Sequence, residues 1–581
     1  MKNYLLIFLY LTIPSFLFSQ ALSGVYSIGS DNSDYTNLSN AFVALETFGV
    51  EGETILELTD SYDMNSEITS LSLGNIPGSS ETNKVILTVS DEVNKIILSY
   101  NAAYIFSFYN TEYFEIQGKD KLTIQTQGNF ADNAAVAIFN NPNNGNSIIT
   151  IDGCIITGSG NSNVNDFGIY FFSYDSDVTK KYDINISNNT IYKVNQAICA
   201  KGPSNSSPSI ASVKIKNNTI GNTGINYNIN QFGIYLQNQN EVIVSENKIF
   251  SVFSNDNTAA GIKLENCSYA TINNNSILDI VSYDQVNGKA YGILINSNEI
   301  TTTETWCYNN MISHIAAKEV QGVGLYLADL INNRIHLYYN SIYLTVDNSQ
   351  DYFGEIPSTC FGFNSNIGTI LIKNNVFQND FGDNTMSAEE RFGTAISFMS
   401  NHNPFSAITN NIYYTDNITH GFTAKNSDRY FTFDEWNLFN DNDETSLNSN
   451  PGFISTFLLK ISEANSAGTF ISQVKRDYFG NPRSYTTPDI GAHEAKDNSG
   501  INDLSTTKFD TYYSQNTIFI NSENELNGNV SLISIDGKIL YKKSVSGKNI
   551  VINLERTYNP GVYIISYSGI KGNTSSKILI H

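Results

Sequence analysis

Short runs of alternating apolar and polar residues recur along most of the chain, and many of them end on one phrase. The apolar pairs Ile184 and Ile186, Val213 and Ile215, Val242 and Val244, Ile335 and Leu337, and Ile370 and Ile372 are each two residues apart. A period of two predicts a strand with those side chains on one face. Each run leads into Asn-Asn or a variant, one further residue, then Ile or an aromatic. Examples are Ile186-Ser187-Asn188-Asn189-Thr190-Ile191, Ile215-Lys216-Asn217-Asn218-Thr219-Ile220, Val244-Ser245-Glu246-Asn247-Lys248-Ile249 and Ile272-Asn273-Asn274-Asn275-Ser276-Ile277. Later copies place the second Asn at Asn310, Asn340, Asn375 and Asn411, and an earlier one has Cys154 there. From Asn189 onward the copies lie 28 to 36 residues apart.

A second phrase runs between them: Phe167-Gly168-Ile169-Tyr170, Phe232-Gly233-Ile234-Tyr235, Ala260-Gly261-Ile262-Lys263, Tyr291-Gly292-Ile293-Leu294, Val323-Gly324-Leu325-Tyr326 and Phe361-Gly362-Phe363. Two markers on one variable period define a coil of short strands joined by bends, a β-solenoid. Asn suits the bends because it tolerates the left-handed backbone region and its amide bonds locally. Stacked coils would then set Asn on Asn as an amide ladder.

Both open ends of such a body need cover. Asp34-Tyr35-Thr36, then Leu38, Ala41, Phe42, Leu45 and Phe48, then Gly49, predict a capping helix, followed by a strand over Thr54 to Leu58. Near the other end, Asn450-Pro451-Gly452-Phe453, Arg476 to Arg483 and Pro488-Asp489-Ile490-Gly491-Ala492-His493-Glu494 read as a closing segment held by Arg483 and Asp489. After the polar stretch 496–500 the pattern changes. Strands are expected at Thr517 to Ile520, Val530 to Ile535, Lys538 to Tyr541, Ile550 to Leu554 and Val562 to Tyr567, with Asp536-Gly537 as a hairpin turn.

Composition sharpens this picture. Only 15% of the 581 residues are charged and the net charge is −23, which opposes nucleic acid as a partner by electrostatic repulsion. Five cysteines with no CxxC suggest neither a disulfide framework nor a zinc site. Lys2, the apolar run Leu5 to Leu11, Pro14 and Ala21 read as a secretory signal peptide over 1–19, too short to anchor the chain. No later run is apolar enough to span a membrane, so the expected destination is secretion or the cell surface.

Through its rung phrases, over roughly 85 to 495, the sequence resembles the right-handed parallel β-helix repeat proteins, the fold shared with pectate lyases. Its opening, from Tyr26 through the expected helix, and its closing segment resemble those of exported β-helix proteins of Bacteroidetes-type bacteria. Residues 20–84 would then be the N-terminal cap and first strands. Within 501–581, Ile535-Asp536-Gly537-Lys538, Pro560-Gly561-Val562-Tyr563 and Lys577-Ile578-Leu579-Ile580 resemble the type A sorting domain of the type IX secretion system, although the Pro-Asn-Pro often found near its start is missing. That resemblance implies a β-sandwich, the secretion machinery as partner, and Gly561, Val562, Tyr563 and Lys577 within the signal.

Catalytic motifs are sparse. Paired Asp residues and Gly-His-Gly, which hydrolases of this fold carry, are missing, and only Arg334-Ile335-His336 stands near their Arg-Ile-Lys. Arg334, His336, Lys214, Lys216 and Lys373 supply basic groups without a lyase signature. The reading is therefore a polysaccharide-binding or adhesive β-helix, with a polysaccharide lyase or glycoside hydrolase on the same scaffold as the alternative. Counting back from the marker Asn residues puts Trp306, Tyr308, His336, Tyr338 and Lys373 on one outward strip, where rings and hydrogen-bonding groups would meet sugars, unless a loop such as Thr345 to Pro357 covers it. No cofactor is expected; calcium is the one ion the acidic stretch with Asp441, Asp443 and Glu444 would suit.

Overall fold

A computed structural model describes residues 21–580 except 68–69, 141–145, 161–163, 175–180, 204–209, 223–227, 256–257, 285, 287, 298–302, 319–321, 346–357, 365–366, 381–392, 399–403, 416–422, 426–428, 440–442, 454–463, 495–508, 515, 535–537, 555 and 570–571. The signal peptide expected over 1–19, Asp441 and the turn Asp536-Gly537 lie outside the described residues. The chain divides into two compact units, 1–495 and 496–581.

The first unit is a parallel β-solenoid of about 10 turns. Among the described residues its first sheet has 13 strands, from Leu22–Ile28 to Phe405–Thr409. Parallel pairing therefore begins at Leu22, ahead of residue 85. The alternating residues stack in register: Ile116, Ile151, Ile186, Ile215, Val244, Ile272, Cys307, Leu337 and Ile372 form one column, all within the apolar interior. Two further ladders complete each coil. One holds the strands after the Asn bend, such as Lys248–Ser254 and Ser276–Ser282, and the other holds the Gly-Ile strands, such as Ala259–Glu265 and Ala290–Asn296.

The Asn pair divides its labour. The first position takes the left-handed backbone, at φ 56° in Asn188, 53° in Asn217, 55° in Asn274 and 54° in Asn410. The second position forms the ladder. Asn189, Asn218, Asn247, Asn275, Asn310, Asn340, Asn375 and Asn411 are buried, and from Asn189 to Asn375 each side-chain Nδ2 donates to the next Oδ1 at 2.9–3.0 Å. The backbone N–H of Cys154 opens the series on Asn189, and the backbone N–H of Asn411 closes it on Ser446 Oγ. Sharing each acceptor oxygen between a backbone N–H and an amide leaves these fully desolvated groups satisfied.

The glycine of the second phrase marks a tight corner. A Cβ on Gly261 would stand 2.6 Å from Ile277 Cγ2 and 2.8 Å from the Gly292 carbonyl. A Cβ on Gly168, Gly233, Gly292 or Gly324 would meet the equivalent isoleucine of the following coil just as closely. Pairing skips the glycine, so the residue before it turns outward while the Ile after it stays inside.

The N-terminal helix spans Leu38–Phe48, capped by Asn37 and ended by Gly49 at φ 68°. Asp34 bonds Ser27 instead, while the buried Glu67 carboxylate accepts from the N–H groups of Leu38 and Ser39. Phe48 is exposed and Ala44 takes a place in the core, because the helix turns that face toward the first coils. At the far end the short helix Phe433–Phe439 brings Trp436 into the core.

The closing segment does more than shut an end: it runs back along the outside, over the left-handed column. Asn410 Nδ2 donates to the Ala467 carbonyl, Asn374 Nδ2 to Thr469, Asn309 Nδ2 to Arg476 and Asn274 Nδ2 to Asp477 and Tyr478. Its anchor is Arg483, which stacks 3.8 Å over Tyr339, pairs with Glu494 at 2.7 Å and donates to Asn309 Oδ1. Asp489 holds the Ser466 N–H, so the partner of Arg483 is Glu494.

Among its described residues the second unit forms one five-stranded antiparallel sheet with its own core. Two pairs of expected strands are continuous: Thr517–Ser534 and Ile539–Asn553 run through an irregularity near Asn521 and pair along both halves. Two strands, Phe509–Ser514 and Gly572–Ile580, extend the set. No helix among the described residues is long and apolar enough to cross a membrane.

Candidate functional site

Register brings the expected strip together: Trp306 pairs His336, which pairs Leu371, and Tyr308 pairs Tyr338, which pairs Lys373. The Trp306 and His336 rings are parallel within 4°, their centroids 3.8 Å apart. The strip is not open, however. Tyr338 and Tyr339 pack with Ile471 and Val474 of the returning segment, and Trp306, Tyr308 and Leu371 lie against that cluster. His336 and Tyr338 are each only 5% exposed, while Lys373 stays half-buried. The cover comes from residues about 130 positions downstream; 346–357 lie outside the described residues.

Toward the open edge stand Glu304, half-buried, and Arg334, exposed. His336 Nδ1 lies 3.0 Å from Tyr338 Oη, and its Nε2 is buried without a hydrogen bond, 3.9 Å from Glu304 Oε1. Burial holds the imidazole below its ordinary pKa and pushes the Tyr338 phenol up to about 12. Both are neutral near pH 7.

The acidic stretch divides. Asp443 is fully buried, and its carboxylate accepts from Trp436 Nε1 at 2.8 Å, Tyr413 Oη at 3.0 Å and Ser446 Oγ. Those donors occupy the oxygens that a cation would need, so Asp443 locks the end helix. Glu444 is exposed. Among the described residues no group of three or more His, Cys, Asp or Glu side chains is placed to hold a metal. In the second unit Val562 and Lys577 are exposed on one face of the sheet. Tyr563 is buried, its Oη donating to the Asn559 carbonyl at 2.8 Å, and Gly561 opens that strand.

Another aromatic cluster lies on the outward side of the Gly-Ile ladder. Because the corner turns the first position of the phrase outward, Phe167, Phe232 and Tyr291 leave the interior, as do Tyr170, Tyr235 and Tyr326 at the fourth. With Tyr104, Tyr109, Phe139, Phe172 and Tyr174 they form a cluster separate from the interior core or continue it. Tyr109, Phe139, Tyr170, Phe172 and Tyr174 make an unbroken chain with neighbouring centroids 4.5 to 6.3 Å apart. Tyr109 is 43% and Tyr174 61% exposed, and Tyr104, Tyr170, Phe172 and Tyr326 are half-buried. Further along, Lys263 Nζ stands 4.6 Å over the Tyr235 ring and Lys201 Nζ 5.7 Å over the same ring. The sequence carried a signal for this face: aromatics recur at the first and fourth places of the second phrase.

No family model matches the chain, and no curated protein matches it. Among solved structures the chain is similar to the crystal structure of DFA-IIIase from Arthrobacter chlorophenolicus A6 without its lid, with 12% identity, 67% of this chain and 83% of that chain covered, and a TM-score of 0.19.

Proposed function

We propose that this protein is an exported, surface or secreted β-helix that binds extracellular polysaccharide along the outward face of its Gly-Ile ladder. One observation carries the reading: the chain of aromatic rings from Tyr109 to Tyr174 spans successive coils, and further along the same face Lys201 and Lys263 stand over the Tyr235 ring. Rings that stay partly in water on a regular scaffold offer apolar faces to sugar rings, while their hydroxyls and the nearby lysines supply polar contacts. Export through residues 1–19 and sorting through the second unit complete the reading, with the type IX machinery as partner. The test is binding of the full chain to a glycan array, alone and with Tyr109→Ala, Tyr170→Ala and Tyr174→Ala, beside thermal melting. Lost binding with unchanged melting supports the reading; a parent that binds no glycan refutes it.

A lyase or hydrolase is the second reading, favoured by the His336 cluster, in which an unbonded imidazole nitrogen faces a carboxylate beside Arg334. An imidazole of that kind can move a proton, and Arg334 can offset an acidic substituent. New reducing ends or unsaturated-product absorbance from a panel of polysaccharides, lost in His336→Gln, would establish it. Intact substrates throughout would remove it.

A further inference from the structure

The charges on the aromatic face are unevenly placed, and that placement selects among glycans. Three consecutive coils meet at its middle, where Cys199 pairs Tyr235 and Tyr235 pairs Lys263. Lys201 comes from the first coil and Lys263 from the third, about 10 Å apart along the stack at ~4.8 Å per coil. Lys263 pairs with Glu265 at 3.2 Å, and Glu265 also accepts from Tyr235 Oη at 2.7 Å. Lys201 has no ion pair among the described residues and is half-buried over the Tyr235 ring. Two ammonium groups therefore face one carboxylate, a local excess of positive charge on a chain whose net charge is −23. The ends of the face differ: Asp132 acts on Tyr104 and Tyr170, and Asp329 on Tyr326.

We infer that the glycan taken by this face is an acidic one, its carboxylate or sulfate group held at the level of Lys201 and Lys263 with aromatic contacts on either side. The inference rests on the polysaccharide-binding reading and adds the chemical class to it. An ammonium already held over a ring has lost much of its freedom, and its remaining N–H groups point away from the ring, so an anion arriving there meets an ordered donor. The flanking carboxylates disfavour an anionic group at the ends, which fixes the register of a charged chain.

The experiment compares binding of the full chain to polygalacturonate, to a sulfated glycan and to neutral xylan, at low and high salt. The acidic polymers should bind better than xylan by about tenfold, the worth of one good charge-assisted contact, and the excess should shrink with salt. Lys201→Gln should remove most of that excess while leaving xylan binding and the melting temperature in place. Asp132→Asn should raise acidic binding severalfold, which a misfolded variant could not imitate. Preference for polygalacturonate alone or for the sulfated glycan alone supports the inference and identifies the group. Equal binding of acidic and neutral polymers overturns the inference but leaves the polysaccharide reading standing. A parent that binds none of the three overturns both.

Discussion

Replacing Asn310 by Ala should show how much the amide ladder contributes. Asn310 Oδ1 accepts from the Asn275 backbone N–H at 3.1 Å and from Asn275 Nδ2 at 3.0 Å. Its Nδ2 donates to Asn340 Oδ1 at 3.0 Å and to the Ile272 carbonyl at 2.9 Å. The substitution leaves the Asn275 N–H with no side-chain acceptor in a site closed to water, because Asn275 and Asn310 are both 0% exposed. An orphaned buried donor costs about 1–3 kcal/mol and each lost satisfied bond about 1 kcal/mol, so the total is about 3–5 kcal/mol with the small cavity included. Asn188→Gly is the control. Asn188 is exposed in the left-handed region, where Gly is unstrained, so its cost should stay below about 1 kcal/mol. The chain has two tryptophans, Trp306 and Trp436, both in the solenoid, so indole fluorescence during urea unfolding follows that unit alone. A loss under about 1 kcal/mol for Asn310→Ala, or one no larger than the control, would refute the claim that the ladder stabilises the stack.

Other substitutions probe the remaining parts. Burial raises the Asp443 carboxyl from 3.8 to about 6 against the pull of its three donors, so its proton is held more tightly in the folded state. Its contribution is therefore full below about pH 3.8 and falls away as the pH rises through about 6; by linkage this amounts to about 3 kcal/mol, and Asp443→Asn should flatten the profile followed by Trp436 fluorescence. Gly261→Ala should cost about 1–3 kcal/mol in urea melts, since its Cβ would press on Ile277 and the Gly292 carbonyl; a neutral result would mean the corner can open. Arg483→Met should leave Glu494 without its buried partner and lower stability by about 3 kcal/mol, with faster tryptic cleavage at the exposed Lys475 and Arg476; unchanged cleavage would show that other contacts hold the segment.

The Gly-Ile phrase shows how far local reading reached. Its glycine and isoleucine identified a recurring strand, but the outward turn of Phe167 breaks the simple alternation. Pairing skips Gly168, where a Cβ would run into Ile191 and the Ala197 carbonyl of neighbouring strands. Lys201 and Tyr235 likewise look unrelated in the sequence, and only the stacking of coils brings them over one another.

The sequence by itself determined the coil. Alternation at Ile184 and Ile186, Asn at the bend and a repeat near 30 residues are local demands of strand and turn, and they recur because each coil packs on one like itself. It determined the capping helix too, through Leu38, Ala41, Phe42, Leu45 and Gly49. The tertiary structure decided which outward surfaces stay in water. Alternation says that His336 and Tyr338 point away from the core, but not what comes to lie on them. Tyr339 meets Thr469 across 130 residues and Asn274 meets Tyr478 across 204. Contacts so distant leave no periodic trace in either partner, because they depend on where the whole stack delivers the returning chain. The same physics covered the Trp306 strip and left the rings of Tyr109 and Tyr174 in water.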